Sequence, residues 1–215
     1  MVVMSKSVRF WNRIAEKYAQ SPIKDMKGYE ATLARVRAHL TPDDHLLELG
    51  CGTGSTAILL AGDAARITAT DYAGEMVAIG QRKAAEAGVE NVIFLQADPF
   101  DPVLEPGAYD VVMGMNFYHL LDDMSAGLAR SVELVKPGGY VIAKTPCLGD
   151  APFFKRLMLK TIVGVLQLVG KAPSVGFVTG DTVEAQMKAA GLEIVERSVT
   201  DGMVPRDFII ARRPS

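Results

Sequence analysis

The stretch 46–57, LLELGCGTGSTA, sets Gly50, Gly52 and Gly54 between a short apolar run and the start of a helical pattern. Alternate glycines at such a junction give a backbone that turns sharply and lets another group come close to its N–H groups. Two uses fit: a loop that a ligand approaches, or a plain strand-to-helix turn. The spacing is GxGxG. The dinucleotide fingerprint is GxGxxG, so the third glycine comes one residue early, and an acid, Glu48, precedes the first.

After the opening segment, strand-like and helix-like runs alternate. Residues 45–49, 66–71, 91–98, 109–116 and 140–146 read as strands, nearly continuous in apolar character. The runs 55–64, 73–88 and 125–139 between them read as helices, with Gly88 placed as a C-terminal cap and Pro137 as a stop. Strands alternating with helices predict βαβ units and a parallel sheet covered on both faces. Right-handed crossovers bring every strand's C-terminal end to one edge, where ligands bind at the switch in strand order. Those ends carry Glu48 with the glycines, Asp71, Asp98 and Asn116. Residues 7–22 and 27–40 read as helices before the first strand. A helix over 181–191, with Asp181 as cap, and strands over 192–201 and 206–214 close the chain.

The spacing of the acids weighs against the plain turn. Asp71 ends the second strand about 20 residues after the glycines, where a carboxylate accepts from ribose hydroxyls. Asp98 ends the third strand. Other readings stay open: Asp71 as the cap of the helix near Gly74, and Asp98, before Pro99, as a turn residue.

With these pieces in order, the chain resembles the class I S-adenosylmethionine (SAM)-dependent methyltransferases of small-molecule type. The resemblance rests on LLELGCGTGS, ITATDYAGEM, VIFLQADPF, YDVVMGMNFYHLL and LVKPGGYVIAKT, and runs from about residue 45 to the end. It implies a Rossmann-like α/β fold: a seven-stranded, mostly parallel sheet, helices on both faces, the last strand antiparallel, and a helical cap. It implies SAM over Gly50, Gly52 and Gly54, with Asp71 on the ribose, Asp98 on the adenine amino group and Glu48 near the methionine end. Cys51, Tyr72, Met76, Pro99, Asn116 and Tyr18 complete the expected cofactor surroundings. The expected division is one domain: N-terminal helices forming a lid (1–40), a SAM-binding core (45–146), a cap insertion (147–180) and a C-terminal helix with strands (181–215).

Methyl transfer from a sulfonium needs alignment and exclusion of water, and a base only when the acceptor must lose a proton. His119, after the fourth strand, is the candidate base, and Asn116 and Tyr118 share its location as candidates to orient an acceptor. His39 and His45 flank the first strand on its far side and read as structural. Asn116-Phe117-Tyr118-His119 stands where methylases of amide or adenine nitrogens carry Asn/Asp-Pro-Pro-Tyr/Phe. With a net charge of −2 and no basic run, a nucleic-acid acceptor is disfavoured. Asp122-Asp123 reads as a helix N-terminus and not as a metal site. Trp11 and Tyr18, two turns apart, either close over the cofactor or pack the first helix down.

The 151–178 insertion reads as a cap, a dimer contact, an apolar acceptor pocket or a membrane-surface segment through 152–169. Two cysteines, no apolar leader and no span of about 20 apolar residues lead to the expectation of a soluble, cytoplasmic protein. The acceptor is expected to be small and apolar. A SAM-binding protein without catalysis and a nicotinamide-dependent oxidoreductase are the alternatives.

Overall fold

A computed structural model describes residues 2–23, 25–200, 202 and 204–215. Asp201, where the expected strand 192–201 ends, lies outside the described residues. In chain order the elements are α1 (Val2–Ala19), α2 (Met26–Arg37), β1 (His45–Leu49), α3 (Ser55–Leu59), β2 (Arg66–Asp71), α4 (Gly74–Glu86), β3 (Val92–Gln96) and β4 (Tyr109–Met115). There follow α5 (Met124–Leu134), β5 (Val135–Pro146), α6 (Phe153–Leu168), α7 (Gly180–Ala189), β6 (Glu193–Thr200) and β7 (Arg206–Arg212).

The seven strands form one sheet in the order β3-β2-β1-β4-β5-β7-β6. Only β7 runs antiparallel to its neighbours. The expected Rossmann-like sheet, with its last strand inserted antiparallel, is the sheet found. The order reverses between β1 and β4, and the loops that leave those strands open the crevice where a ligand fits.

Period-two side-chain alternation builds two cores from one sheet. Leu46, Ile67, Val111, Met113, Ile142 and Ile210 face α2, α3 and α4. Their neighbours Leu47, Leu49, Val112, Val141, Ile209 and Ala211 face α5 and α7. Burying each large apolar chain contributes about 1.5–3 kcal/mol, which fixes the register, since a one-residue slip would turn these chains to the wrong face. On the outer side of α4, Ala73, Met76 and Ile79 meet Trp11, Ile14 and Ala15, and this contact docks α1.

Three local expectations are corrected. The helix expected over 55–64 stops at Leu59 and gives way to a 3-10 turn, Ala61–Asp63, where Asp63 takes the Arg37 guanidinium at 2.8 Å. Pro137 and its glycines stand inside β5. They lie within a register shift, since Tyr109 pairs with Val135 while Val111 pairs with Tyr140. The cap of α7 is Thr179, whose hydroxyl accepts from the Thr182 N–H at 3.1 Å; Asp181 instead accepts from Arg197 at 2.9 Å.

Candidate active site

The glycine loop is built from the inside out. All three glycines have positive φ: +67° at Gly50, +53° at Gly52 and +73° at Gly54. Their surroundings differ. A Cβ on Gly50 would stand 2.2 Å from the Phe117 ring, and one on Gly54 would stand 2.4 Å from the Phe94 ring. Beside Gly52 the nearest atom is Tyr18 Cε1, 3.7 Å away. Two of the glycines therefore admit core aromatics, and Gly52 is the one that keeps open space beside it. Gly54 lies beneath the loop and lines neither half of the cleft described below.

Asp71 ties the loop to the end of β2. One carboxylate oxygen accepts from the Gly52 N–H at 3.0 Å and the other from the Ala73 N–H at 2.8 Å. Burial raises its pKa, and these two backbone bonds oppose the rise. The helix cap position is Ala73, so Asp71 braces the turn without being its cap. From the other side Lys83 donates to the Thr53 carbonyl at 3.2 Å and to the Ser55 hydroxyl at 2.6 Å.

The cleft runs along the C-terminal edge of the sheet in adjoining hollows. One, about 320 Å³, is lined by Glu48, Cys51, Gly52, Thr53, Asn116 and Lys144, among others. The next, about 290 Å³, is lined by Trp11, Asp71, Tyr72, Met76, His119 and Val175, among others. Tyr18, Gly50, Gly52, Met115 and Asn116 belong to both. A third hollow, sharing Tyr72, Leu120 and Leu121, holds Asp98 and Pro99. There the Asp98 carboxylate accepts from the Phe100 N–H at 2.8 Å in a local turn.

The cleft's charges are shaped by burial. Glu48 is 2% exposed, and desolvation pushes its pKa up to about 8, with the Asp71 charge adding to the rise and the Ala57 N–H opposing it. Its Oε2 has no hydrogen-bond partner. His119 is buried, and desolvation lowers its pKa to about 4, so the ring is neutral at physiological pH. Its Nδ1 is unpartnered, while its carbonyl accepts from the Gly176 N–H at 2.7 Å. Asn116, with φ of 56°, turns the chain out of β4, and its N–H donates to the Lys144 carbonyl at 2.7 Å.

Tyr118 is not in the cleft. It is fully buried beneath the cleft floor, its hydroxyl paired with Ser131 at 3.0 Å, so it does not orient an acceptor. His45 sits at the opposite end of β1, its ring nitrogens 2.9 Å from Thr68 Oγ1 and 2.9 Å from Arg66 Nη2. His39 bonds the Arg35 carbonyl at 3.1 Å. Asp123 caps α5 by accepting from the Ala126 N–H at 2.9 Å. Trp11 and Tyr18 meet edge to face at 6.0 Å over the glycine loop.

The residue that sequence reading missed is Lys144. Among the described residues it is the one Lys or Arg lining the two hollows around the glycine loop. Its ammonium donates to Thr32 at 2.7 Å, and burial lowers its pKa. Its place near the ligand-side end of β5, in YVIAKTP, was the available signal.

A doubly wound sheet with acids and an open glycine loop at its switch point defines a site for a nucleoside-containing ligand. Residues 46–139 match a family model described as a methyltransferase domain. Among curated proteins the chain is similar to the ubiquinone biosynthesis O-methyltransferase of Burkholderia thailandensis, 26% identical over 188 residues, 87% of this chain and 79% of that protein. It is also similar to part of the highly reducing polyketide synthase lcsB of Purpureocillium lilacinum, 28% identical over 186 residues, covering 81% of this chain but only 7% of the synthase. A solved structure with the same fold is geranyl diphosphate C-methyltransferase from Streptomyces coelicolor A3(2), in complex with Mg2+, geranyl diphosphate and S-adenosyl-L-homocysteine. It has a TM-score of 0.69 and 15% identity, covering 86% of this chain and 79% of that one. The methyltransferase-domain match over 46–139, the methyltransferase relatives and the shared fold together support a class I SAM-dependent methyltransferase, a family whose cofactor is S-adenosylmethionine.

Proposed function

We propose that this protein transfers the methyl group of SAM to a hydroxyl of a small apolar acceptor held beside His119. The observation that carries the reading is the convergence of Gly52, Asp71, Met76, Asn116 and His119 on one cleft at the sheet's switch point. The donor set fits the cofactor. Gly52 leaves room for close approach, Asp71 keeps lone pairs for ribose hydroxyls, and the unpartnered Glu48 Oε2 suits a cationic amino group. Lys144 is placed to pair with a carboxylate. Tyr72, Met76 and Pro99 offer apolar surface to a base whose amino group Asp98 would accept.

When bound, SAM supplies a methyl already activated on a sulfonium. The chain's own work is then to position the acceptor and exclude water. Leu120, Leu121, Pro173 and Val175 make the acceptor side of the cleft apolar. His119 accepts the hydrogen bond of the acceptor's hydroxyl and takes its proton. With a pKa of about 4 it is a weak base, always free to accept at neutral pH, and it suits an electrophile that needs little help. Trp11 and Tyr18 close the cleft from above. The O-methyltransferase named among the relatives supports a hydroxyl acceptor.

Methyl-labelled SAM incubated with a panel of alkylated phenols and catechols tests this reading. Label should pass to at least one hydroxyl, and His119→Gln should slow transfer by roughly 10²-fold or more while leaving S-adenosylhomocysteine affinity unchanged. Tight binding of S-adenosylhomocysteine with no transfer to any hydroxyl would favour a SAM-binding protein without catalysis. Unchanged transfer by His119→Gln would remove His119 from the chemistry.

A further inference from the structure

The segment least explained by the cleft is α6. None of its 16 residues is buried. Leu159, Val163 and Leu166 are partly covered on its inner side. Its outer side presents Phe154, Leu157, Met158, Val165, Leu168 and Val169, with Phe154 83% and Leu168 88% exposed. At about 100° per residue these side chains fill one arc of about a third of the helix circumference, exposed Phe153 and Ile162 widen it to about half, and Lys155 and Lys160 stand at its two borders. From 151 to 180 the chain carries four cations, Lys155, Arg156, Lys160 and Lys171, and no carboxylate, in a protein of net charge −2.

We infer that α6 docks this protein on the surface of an anionic phospholipid bilayer. An apolar face bordered by lysines is the pattern of a helix that lies in the interface plane, its apolar side among the acyl chains and its cations at the headgroups. The helix is about 24 Å long, too short to cross a bilayer, and no described helix is long and apolar enough to do so. Charge complementarity selects lipid over a second copy of the chain. Two α6 helices pressed face to face would set lysines along shared borders with no carboxylate from either segment to neutralise them.

The helix is also fastened beside the cleft. Arg156 donates to the Gly149 carbonyl at 2.9 Å at one end, and Arg13 of α1 donates to the Gly170 carbonyl at 2.6 Å at the other. The chain leaving α6 then supplies Pro173 and Val175 to the cleft wall beside His119. Docking through α6 would bring the bilayer close to the cleft wall where an apolar acceptor binds. The docking itself stands whether or not the acceptor reading does.

The test is vesicle flotation with the full-length protein, using 3:1 phosphatidylcholine–phosphatidylglycerol vesicles and phosphatidylcholine vesicles, at low and high salt. The protein should float with the anionic vesicles, and less so as salt screens the cations. Phe154→Glu/Leu168→Glu should abolish flotation, and Lys155→Glu/Lys160→Glu should reduce partitioning by about tenfold or more. Far-UV circular dichroism and S-adenosylhomocysteine binding should be unchanged in both variants, which separates lost docking from lost folding. No flotation on anionic vesicles would overturn the inference. So would gel filtration showing a dimer that Phe154→Glu/Leu168→Glu converts to a monomer, because α6 would then be covered by a second copy.

Discussion

Gly54 and Gly164 sit in regions the rest of the molecule treats in opposite ways. A Cβ on Gly54 would meet the Phe94 ring at 2.4 Å, at a φ of +73° that other residues avoid. A Cβ on Gly164, in the middle of α6, would meet nothing within 4 Å. The glycine loop is dictated by its neighbours: Phe94 and Phe117 press on it, Asp71 holds its N–H, and Lys83 holds its carbonyl. By contrast α6 is held at its ends and left bare along its outer side. The glycine loop and α6 therefore answer to different constraints, one to internal fit and the other to whatever lies outside the molecule.

The largest effect should come from breaking the loop. Gly54→Val should lower stability by about 3 kcal/mol or more through backbone strain and overpacking, a fall of roughly 6–12 °C in Tm by thermal unfolding. An unchanged Tm would mean the loop is not packed as described.

Glu48 gives the next effect, and its sign depends on pH. Its folded pKa of about 8 lies above the usual carboxylate value, so between about pH 4.5 and 8 the folded state holds a proton that the unfolded state releases. Stability falls as pH rises through that window. Glu48→Gln should match the native protein near pH 4.5 and gain an advantage on the order of 1–3 kcal/mol by pH 8.5, read as a pH-dependent difference in Tm. An advantage that does not grow with pH would place Glu48 in contact with water.

Helix α6 should respond weakly or favourably. Gly164→Ala should stabilise α6 by about 0.5–1 kcal/mol, since the added methyl meets no neighbour and alanine favours helix. Phe154→Glu/Leu168→Glu should change Tm least, within about 0.5 kcal/mol per site, because exposed side chains leave no cavity. A large loss of stability in that variant would show that the apolar face is buried in solution.

The same contrast explains what the sequence could disclose. Strands β1 and β2 begin and end where local pattern placed them, because a short, nearly continuous apolar run and a following glycine or acid are readable without knowing the partners. The GxGxG spacing marked the loop for the same reason. The side-chain directions after β4 were not readable. Tyr118 turns inward to Ser131 while His119, its neighbour, lines the cleft, and that choice belongs to α5, which the strand's own residues do not encode. Thr179 and Asp181 are both good caps by type, and Arg197, 16 residues further on, draws Asp181 away. Lys144 looked like one more strand residue until Thr32 and the cleft were seen beside it. Which glycine keeps open space beside it is likewise decided by Phe94 and Phe117, distant in sequence from the loop.

The most direct test of the central claim is calorimetric titration of the purified protein with S-adenosylhomocysteine and, separately, with NADH. The account predicts micromolar binding of S-adenosylhomocysteine, weakened about tenfold or more by Asp71→Ala, because the loop loses the acceptor of the Gly52 N–H and the ribose loses its carboxylate. It predicts no binding of NADH. Absence of S-adenosylhomocysteine binding, or NADH binding that depends on Asp71, would contradict the assignment of this cleft to SAM.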